Sequence, residues 1–343
     1  MTSRPARLSL PVRYRHAGVD IDANNRLKKD IARLARSTFT PGVLSEIGLF
    51  GSLFRMPRGG DPVLVASCDG VGTKLTVAAM VGKHDTVGID IVNHCVNDIL
   101  CMGARPLFFL DYCAASKTRP EVLAEVIRGL ARACRRQGCA LVGGETSTMP
   151  GWFRPGEYDL VGFIVGVVGR KELTDPGRIA PGDVLVGLPS DGLHTNGYSL
   201  ARRALFERGR LTVRSRVKGI ARPLGLELLR PHRSYFRDVY PLRSRVKAIA
   251  HITGGGFYDN LERLLPPETA CVVRRKSWRP RRIFRLIQEL GSVPDDEMYR
   301  TFNMGVGMVL VVAADRARGI VRSVRGARVI GRVVRGSYGV AVV

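Results

Sequence analysis

Three short stretches of this chain group carboxylates and glycines at spacings that suit phosphate and divalent-cation chemistry. In residues 68–74 (CDGVGTK), Asp69 ends an apolar run, Gly70 and Gly72 let backbone approach a ligand, Thr73 adds a hydroxyl and Lys74 a cation. The spacing is not that of a Walker loop, and a glycine-rich turn is the other reading. In the second stretch Asn97 and Asp98 interrupt an otherwise apolar segment, with His94 four residues before Asp98 and so on the same helical face. A carboxylate there is costly unless it is paired, holds a cation or faces solvent. The third stretch, Gly143–Gly144–Glu145–Thr146, follows a short apolar strand pattern, and active-site groups favour strand ends. Together Asp69, Asp98 and Glu145 would make an all-oxygen set suited to Mg²⁺. That set points to nucleotide phosphates bridged by metal, not to a redox centre.

The second half holds two further polar clusters. Residues 192–199 (GLHTNGYS) place His194, Asn196 and Ser199 just ahead of a helical pattern, an arrangement suited to an anion. His194 reads equally as catalytic or structural. Residues 251–256 (HITGGG) form a glycine-rich turn carrying His251, Gly254 and Gly255, suited to a substrate phosphate or to a tight loop. No Cys/His pairs stand at zinc-ligand spacing, which argues against a zinc site.

These groups must be positioned by alternating strands and helices. Strand patterns cover 62–66, 107–115, 139–142, 159–168, 184–188, 307–312 and 329–334. Helical patterns cover 90–102, 120–138, 198–207, 226–240 and 283–290. In 120–138, Pro120 opens the helix, Val122, Val126, Leu130 and Cys134 form one apolar face, and Gly138 closes it. The pattern is α+β, rich in α/β alternation. Pro176, Gly177, Pro181 and Gly182 mark a boundary region, giving domains of 1–169 and 170–343.

With 343 residues, 45% hydrophobic and 24% charged, the chain is neither disordered nor collagen-like. Its longest uncharged apolar runs, 160–169 and 304–314, fall short of the ~20 residues a membrane helix needs. Seven cysteines without regular spacing suggest reduced thiols and a cytoplasmic setting. Lys plus Arg is 54 against 30 for Asp plus Glu, a net charge of +24. The basic residues are spread over 202–245 and 274–335, without aromatic interleaving or a zinc-finger or RRM signature. Solvated faces and attraction of phosphorylated small substrates explain them better than specific nucleic-acid binding. Arg4, Arg7, Arg13 and Arg15 make the first 16 residues a basic arm.

Taken in order, AGVDIDANN (17–25), DGVGTK (69–74), CVND (95–98), PLFFLDY (106–112), CALVGGET (139–146), GEYDLVGF (156–163), GLHTNGYSL (192–200), AHITGGG (250–256) and MYRTFNMGVGM (298–308) resemble the phosphoribosylformylglycinamidine cyclo-ligase family. The resemblance spans almost the whole chain. It implies two domains, the N-terminal one a mixed-sheet domain that dimerises into a shared barrel, the C-terminal one a sheet with helices. It implies ATP-dependent ring closure of formylglycinamidine ribonucleotide to aminoimidazole ribonucleotide in purine biosynthesis, with ATP and Mg²⁺. It assigns Asp69, Asp98 and Glu145 to the metal, and Asp20, Asp22, Gly70, Gly72, Thr73, Lys74 and Gly144 to the nucleotide. Asp98 and His194 become catalytic candidates, and Asn196, Ser199, His251, Gly254 and Gly255 substrate contacts.

Departures from the family pattern are His16, Asn24, Ala32, Thr148 and His232, the last within Pro231–His232–Arg233 where PTR is usual. The stretch 48–51 is a candidate cover for the reacting centre. The other reading is a different ATP-using enzyme of the same fold group, thiamine-monophosphate kinase-like or selenophosphate synthetase-like. The latter usually needs an early reactive Cys or Sec, whereas the first Cys here is Cys68. The blocks at 192–200, 250–256 and 298–308 favour the cyclo-ligase.

Overall fold

A computed structural model describes residues 33–41, 62–117, 119–337 and 339–343. Asp20, Asp22, the basic arm, the stretch 48–51 and the departures His16, Asn24 and Ala32 lie outside the described residues.

The first half builds a four-stranded sheet of β1 (Pro62–Gly70), β2 (Arg105–Ala115), β3 (Ala140–Thr148) and β4 (Tyr158–Gly169), in the order β1-β4-β2-β3. Three helices accompany it: α1 (Lys74–Val81), α2 (Asp85–Cys101) and α3 (Pro120–Gln137). The second half builds a six-stranded sheet from β5 (Val184–Pro189), β6 (Ala248–His251), β7 (Thr269–Val273), β8 (Val306–Val312), β9 (Arg328–Arg335) and β10 (Gly339–Val342). Its order is β10-β7-β9-β5-β8-β6. Around it lie α4 (Tyr198–Arg202), α5 (Leu224–Leu228), α6 (Phe236–Val239), α7 (Gly256–Glu262), α8 (Arg282–Gly291), α9 (Asp295–Thr301) and α10 (Ala314–Ser323). The two long apolar runs are the buried strands β4 and β8. No helix among the described residues is long and apolar enough to cross a membrane.

Helix α2 is the centre of the molecule. Val87, Ile91, Val92, Cys95, Val96, Ile99 and Leu100 surround its axis and are fully buried. A helix apolar on all sides must be covered on all sides. Here β1, β2, β4 and α3 cover one side, and β6 and α6 of the second half cover another. Each such buried side chain contributes about 1.5–3 kcal/mol.

Pattern and structure differ where chemistry or a break intervenes. β1 runs on through Asp69 and Gly70, so Asp69 is a strand residue held in the ladder opposite Gly162. α2 begins one turn earlier than its pattern, at Asp85. The helix expected at 226–240 is broken: Pro231 cannot continue it, and α5 and α6 are separated by an irregular segment. Beyond Arg202, α4 widens into a π turn, Arg203–Arg208. Helices α1, α7, α9 and α10 and strands β6, β7 and β10 were not foreseen.

Where α2 and α3 cross, Gly88 and Gly129 face each other. A Cβ on Gly88 would lie 2.2 Å from the Val126 carbonyl oxygen, and one on Gly129 would lie 2.2 Å from that of Asp85. Neither neighbour is a flexible side chain, so the helices would have to separate. Gly88→Ala should cost about 1–3 kcal/mol in urea denaturation. The exposed helical Gly319 meets nothing within 4 Å, so Gly319→Ala should stabilise by roughly 0.5–1 kcal/mol.

Candidate active site

Helix α2 carries Asp90, Asn93, His94, Asn97 and Asp98 through this apolar environment, and each must find a partner. Asp90, Asn93 and Asn97 reach the irregular segment between α5 and α6. His232 N–H donates to Asp90 Oδ1 at 2.6 Å. Asn93 donates to the His232 carbonyl at 2.6 Å and Asn97 to that of Arg233 at 2.9 Å. Tyr235 N–H donates to Asn97 Oδ1 at 2.9 Å.

His94 and Asp98 face β1 and β6. His94 Nε2 stands 2.8 Å from Asp69 Oδ2 and 3.6 Å from Asp98 Oδ2. Asp98 Oδ1 lies 2.8 Å from His251 Nδ1 at the end of β6, and Ser67 Oγ donates to Asp98 Oδ2 at 3.3 Å. Behind them His251 Nε2 meets His232 Nε2 at 2.9 Å, and His94 Nδ1 meets Thr195 Oγ1 at 2.8 Å. His194 stacks on His232, with ring centroids 4.0 Å apart.

Electrostatics follow from this geometry. Burial raises the Asp98 carboxyl, but His251, His94 and Ser67 outweigh it and hold the group below its ordinary value. Burial likewise raises Asp69, and the hydrogen bond and charge of His94 bring it below. His94 is pulled down by burial and pushed further up by Asp69 and Asp98, ending above its ordinary value. Burial, then the neighbouring imidazoles and Lys74, hold His194 and His232 well below theirs.

The structure brings Asp69, Asp98 and His251 together and leaves Glu145 apart. Asp69 pairs with Gly162, Gly162 with Asp111 and Asp111 with Gly144, across the whole sheet. Glu145 is in register with Tyr112, so the pleat sets it on the face opposite Asp69. Its carboxylate accepts from its neighbour's Thr146 N–H at 2.8 Å. Asp111, on the Asp69 face, is a buried carboxyl pushed up to about 7 by desolvation. Gly144 passes close beside it.

Lys74, expected to offer a cation to phosphate, is instead fully buried. It pairs with Asp90 at 2.7 Å and donates to the Arg230 carbonyl at 2.7 Å. The helix register of α1 turns it inward, and burial lowers its pKa while raising that of Asp90. Thr73 stays exposed, with its hydroxyl 3.1 Å from Ser199 Oγ. Gly70 and Gly72 flank the turn into α1, Gly72 with φ +68°. Gly254 lies beside Asn196 Oδ1, and Gly255, φ +87°, precedes α7. His194 is 1% exposed, so its ring is a packed member of the cluster.

The sequence reading missed His94, Thr195 and His232 as members of the site. The four-residue step from His94 to Asp98 was the available signal. The reading against zinc from Cys/His spacing did not weigh donors far apart in the chain: His94 and Asp98 of α2 and His251 of β6 lie within 4.8 Å of one another.

A cleft of about 440 Å³ opens beside His232, lined by Arg132, Arg136, Arg233 and Arg237 together with Asp191 and Asp238, the last paired with Arg233 at 2.8 Å. Such a cleft suits a phosphate monoester.

Two family models match the chain: the AIR synthase related protein N-terminal domain over residues 52–168 and its C-terminal domain over 180–343. Phosphoribosylformylglycinamidine cyclo-ligase of Thermoanaerobacter sp. (strain X514) is 47% identical over 95% of this chain and 99% of its own. That of Anaeromyxobacter sp. (strain Fw109-5) is 52% identical over 90% of this chain and 93% of its own. Among solved structures, thiamine-monophosphate kinase from Stenotrophomonas maltophilia K279a superposes with a TM-score of 0.68, at 22% identity over 93% of this chain and 94% of that one. The hydrogenase maturation protein HypE in complex with ATP gives 0.64, at 18% identity over 91% and 86%. These two likenesses are of fold.

If Lys74 is a structural cation, Lys74→Met should destabilise by about 3–5 kcal/mol, because Asp90 is left buried and uncompensated. Adding Asp90→Asn should recover part of that loss in a urea-denaturation double-mutant cycle. A lysine acting on phosphate would instead raise the KM for ATP with little change in stability.

Proposed function

The chain belongs to the phosphoribosylformylglycinamidine cyclo-ligase family, and we propose that it closes the imidazole ring of aminoimidazole ribonucleotide from formylglycinamidine ribonucleotide, using ATP. The observation that carries this reading is the 45–52% identity to cyclo-ligases, which spans both domains. It is joined to a carboxylate–imidazole cluster at the junction of those domains.

The substrate's formyl amide oxygen is a poor leaving group because of amide resonance. Transfer of the γ-phosphoryl group to that oxygen makes it a good one. The neighbouring amidine nitrogen then attacks the carbon, phosphate leaves, and ADP is the other product. Positioning and charge neutralisation dominate such a transfer. Gly70, Gly72 and Thr73 precede α1, and no side chain caps its N-terminus, which suits a phosphate there. The Asp69 and Asp98 side chains are 43% and 28% exposed. Their oxygen donors fit a divalent ion, Mg²⁺ in this reading, which when bound supplies positive charge beside the phosphates. Asp98 and His251, 2.8 Å apart, take the proton from the attacking nitrogen. His194 supports them from behind His232. The arginine-lined cleft receives the ribonucleotide phosphate, which gives part of the +24 charge a use.

The domain division at 169/170 and a homodimer belong to the same proposal. Leu64, Tyr112 and Phe163 are exposed on the outer face of the first sheet, at 51%, 37% and 40%. An apolar sheet face of this kind is what a shared barrel would cover. Free cysteines throughout fit a reducing cytoplasmic setting.

Purified protein should form aminoimidazole ribonucleotide only with both ATP and substrate. Asp98→Asn should lose about 10²–10⁴-fold in kcat with an unchanged far-UV circular dichroism spectrum. No aminoimidazole product, with phosphoryl transfer to thiamine monophosphate instead, would move the chain to the kinase reading. Leu64→Glu with Phe163→Glu should convert a dimer to a monomer in sedimentation; a wild-type monomer rejects the dimer.

A further inference from the structure

Around Asp69 and Asp98 the donors are not all oxygen. His94 Nε2 faces both carboxylates, and His251 Nδ1 faces Asp98 from the other side. Both imidazoles are about 4% exposed or less, while the carboxylates open to solvent. The His94 and His251 nitrogens and an Asp98 oxygen suit one ion of the borderline first-row class, with Asp69 Oδ2, 2.8 Å from His94 Nε2, as a fourth donor. Bonds to such an ion are about 2.0–2.2 Å, so the His94, Asp98 and His251 donor atoms, all within 4.8 Å of one another, need only small shifts.

The groups behind the donors are arranged as such a site requires. Once an ion replaces the Nε2 proton that Asp69 accepts, the Nδ1 contact with Thr195 Oγ1 at 2.8 Å holds the His94 Nε2 lone pair toward the carboxylates. Where the ion likewise replaces the Nδ1 proton facing Asp98, the Nε2 contact with His232 Nε2 at 2.9 Å holds the His251 Nδ1 lone pair toward it. His232 Nδ1 in turn lies 3.4 Å from Thr195 Oγ1, closing the chain of contacts. Hydrogen bonds to the far ring nitrogen are how proteins orient metal-ligating histidines. The neighbouring triad His194–His232–His251 is less suited: the His194 and His232 rings stack at 20°, which directs their lone pairs along parallel planes.

We infer that Asp69, His94, Asp98 and His251 form a mixed nitrogen–oxygen site that binds a Zn²⁺- or Co²⁺-type ion without nucleotide and prefers it to Mg²⁺. The inference shares Asp69 and Asp98 with the proposed nucleotide site, and the test separates the two. Chelator-treated, nucleotide-free, full-length protein is titrated with Co²⁺ and followed by visible absorption. The ligand-field bands of bound Co²⁺ should rise to a single equivalent, be displaced by Zn²⁺ and survive excess Mg²⁺. His94→Gln and His251→Gln should each abolish them. Thr195→Val, which removes the hydroxyl that meets His94 Nδ1 and, at longer range, His232 Nδ1, should weaken Co²⁺ binding about 10–100-fold. Should the histidine variants misfold, the Thr195→Val affinity decides. Absence of the bands in the wild-type protein, their persistence in both folded histidine variants, or unchanged affinity in Thr195→Val overturns the site. Any of these results leaves Mg²⁺–ATP-dependent ring closure as a separate measurement.

Discussion

Burying one helix on every side sets the terms for the rest of this molecule. The apolar residues of α2 leave no face for solvent, so two sheets close on it. Its polar residues cannot be left bare in that environment. Each is answered from the other half of the chain: Asp90, Asn93 and Asn97 by the segment after α5, and Asp98 by β6. The same requirement that joins the domains assembles the site. Lys74 is drawn into it as well, since Asp90 needs a cation more than a solvated phosphate does.

Much of this could be read from residue patterns. β4 and α3 lie within a residue or so of their patterns, because an uninterrupted apolar run and a Pro-to-Gly amphipathic stretch are unambiguous local signals. The family resemblance likewise rests on contiguous blocks. Asp69 and Asp98 were recognisable because a carboxylate in apolar surroundings stands out. Glu145 looked equivalent by the same criterion. Its place on the opposite face is decided by strand register, which no local pattern contains.

The imidazole cluster was less legible. Four of the six histidines meet at the domain junction, from positions 94, 194, 232 and 251. Three lie in separate elements or loops of the second half, and their convergence depends on how β6 and the broken 226–240 region dock on α2. Pro231 was visible, yet its consequence was read as helix continuation, when the break is what frees backbone groups for α2 to bind.

Those backbone groups matter in another way. Lys74, Asp90, Asn93 and Asn97 all hold the 230–235 segment by main-chain carbonyls and amides: Arg230, His232, Arg233 and Tyr235. Main-chain partners are indifferent to which side chain is attached. The path of the segment is thereby fixed without calling on the His232 side chain. The His232 ring is left to meet His251 and His194, apart from the main-chain clasp between the two halves.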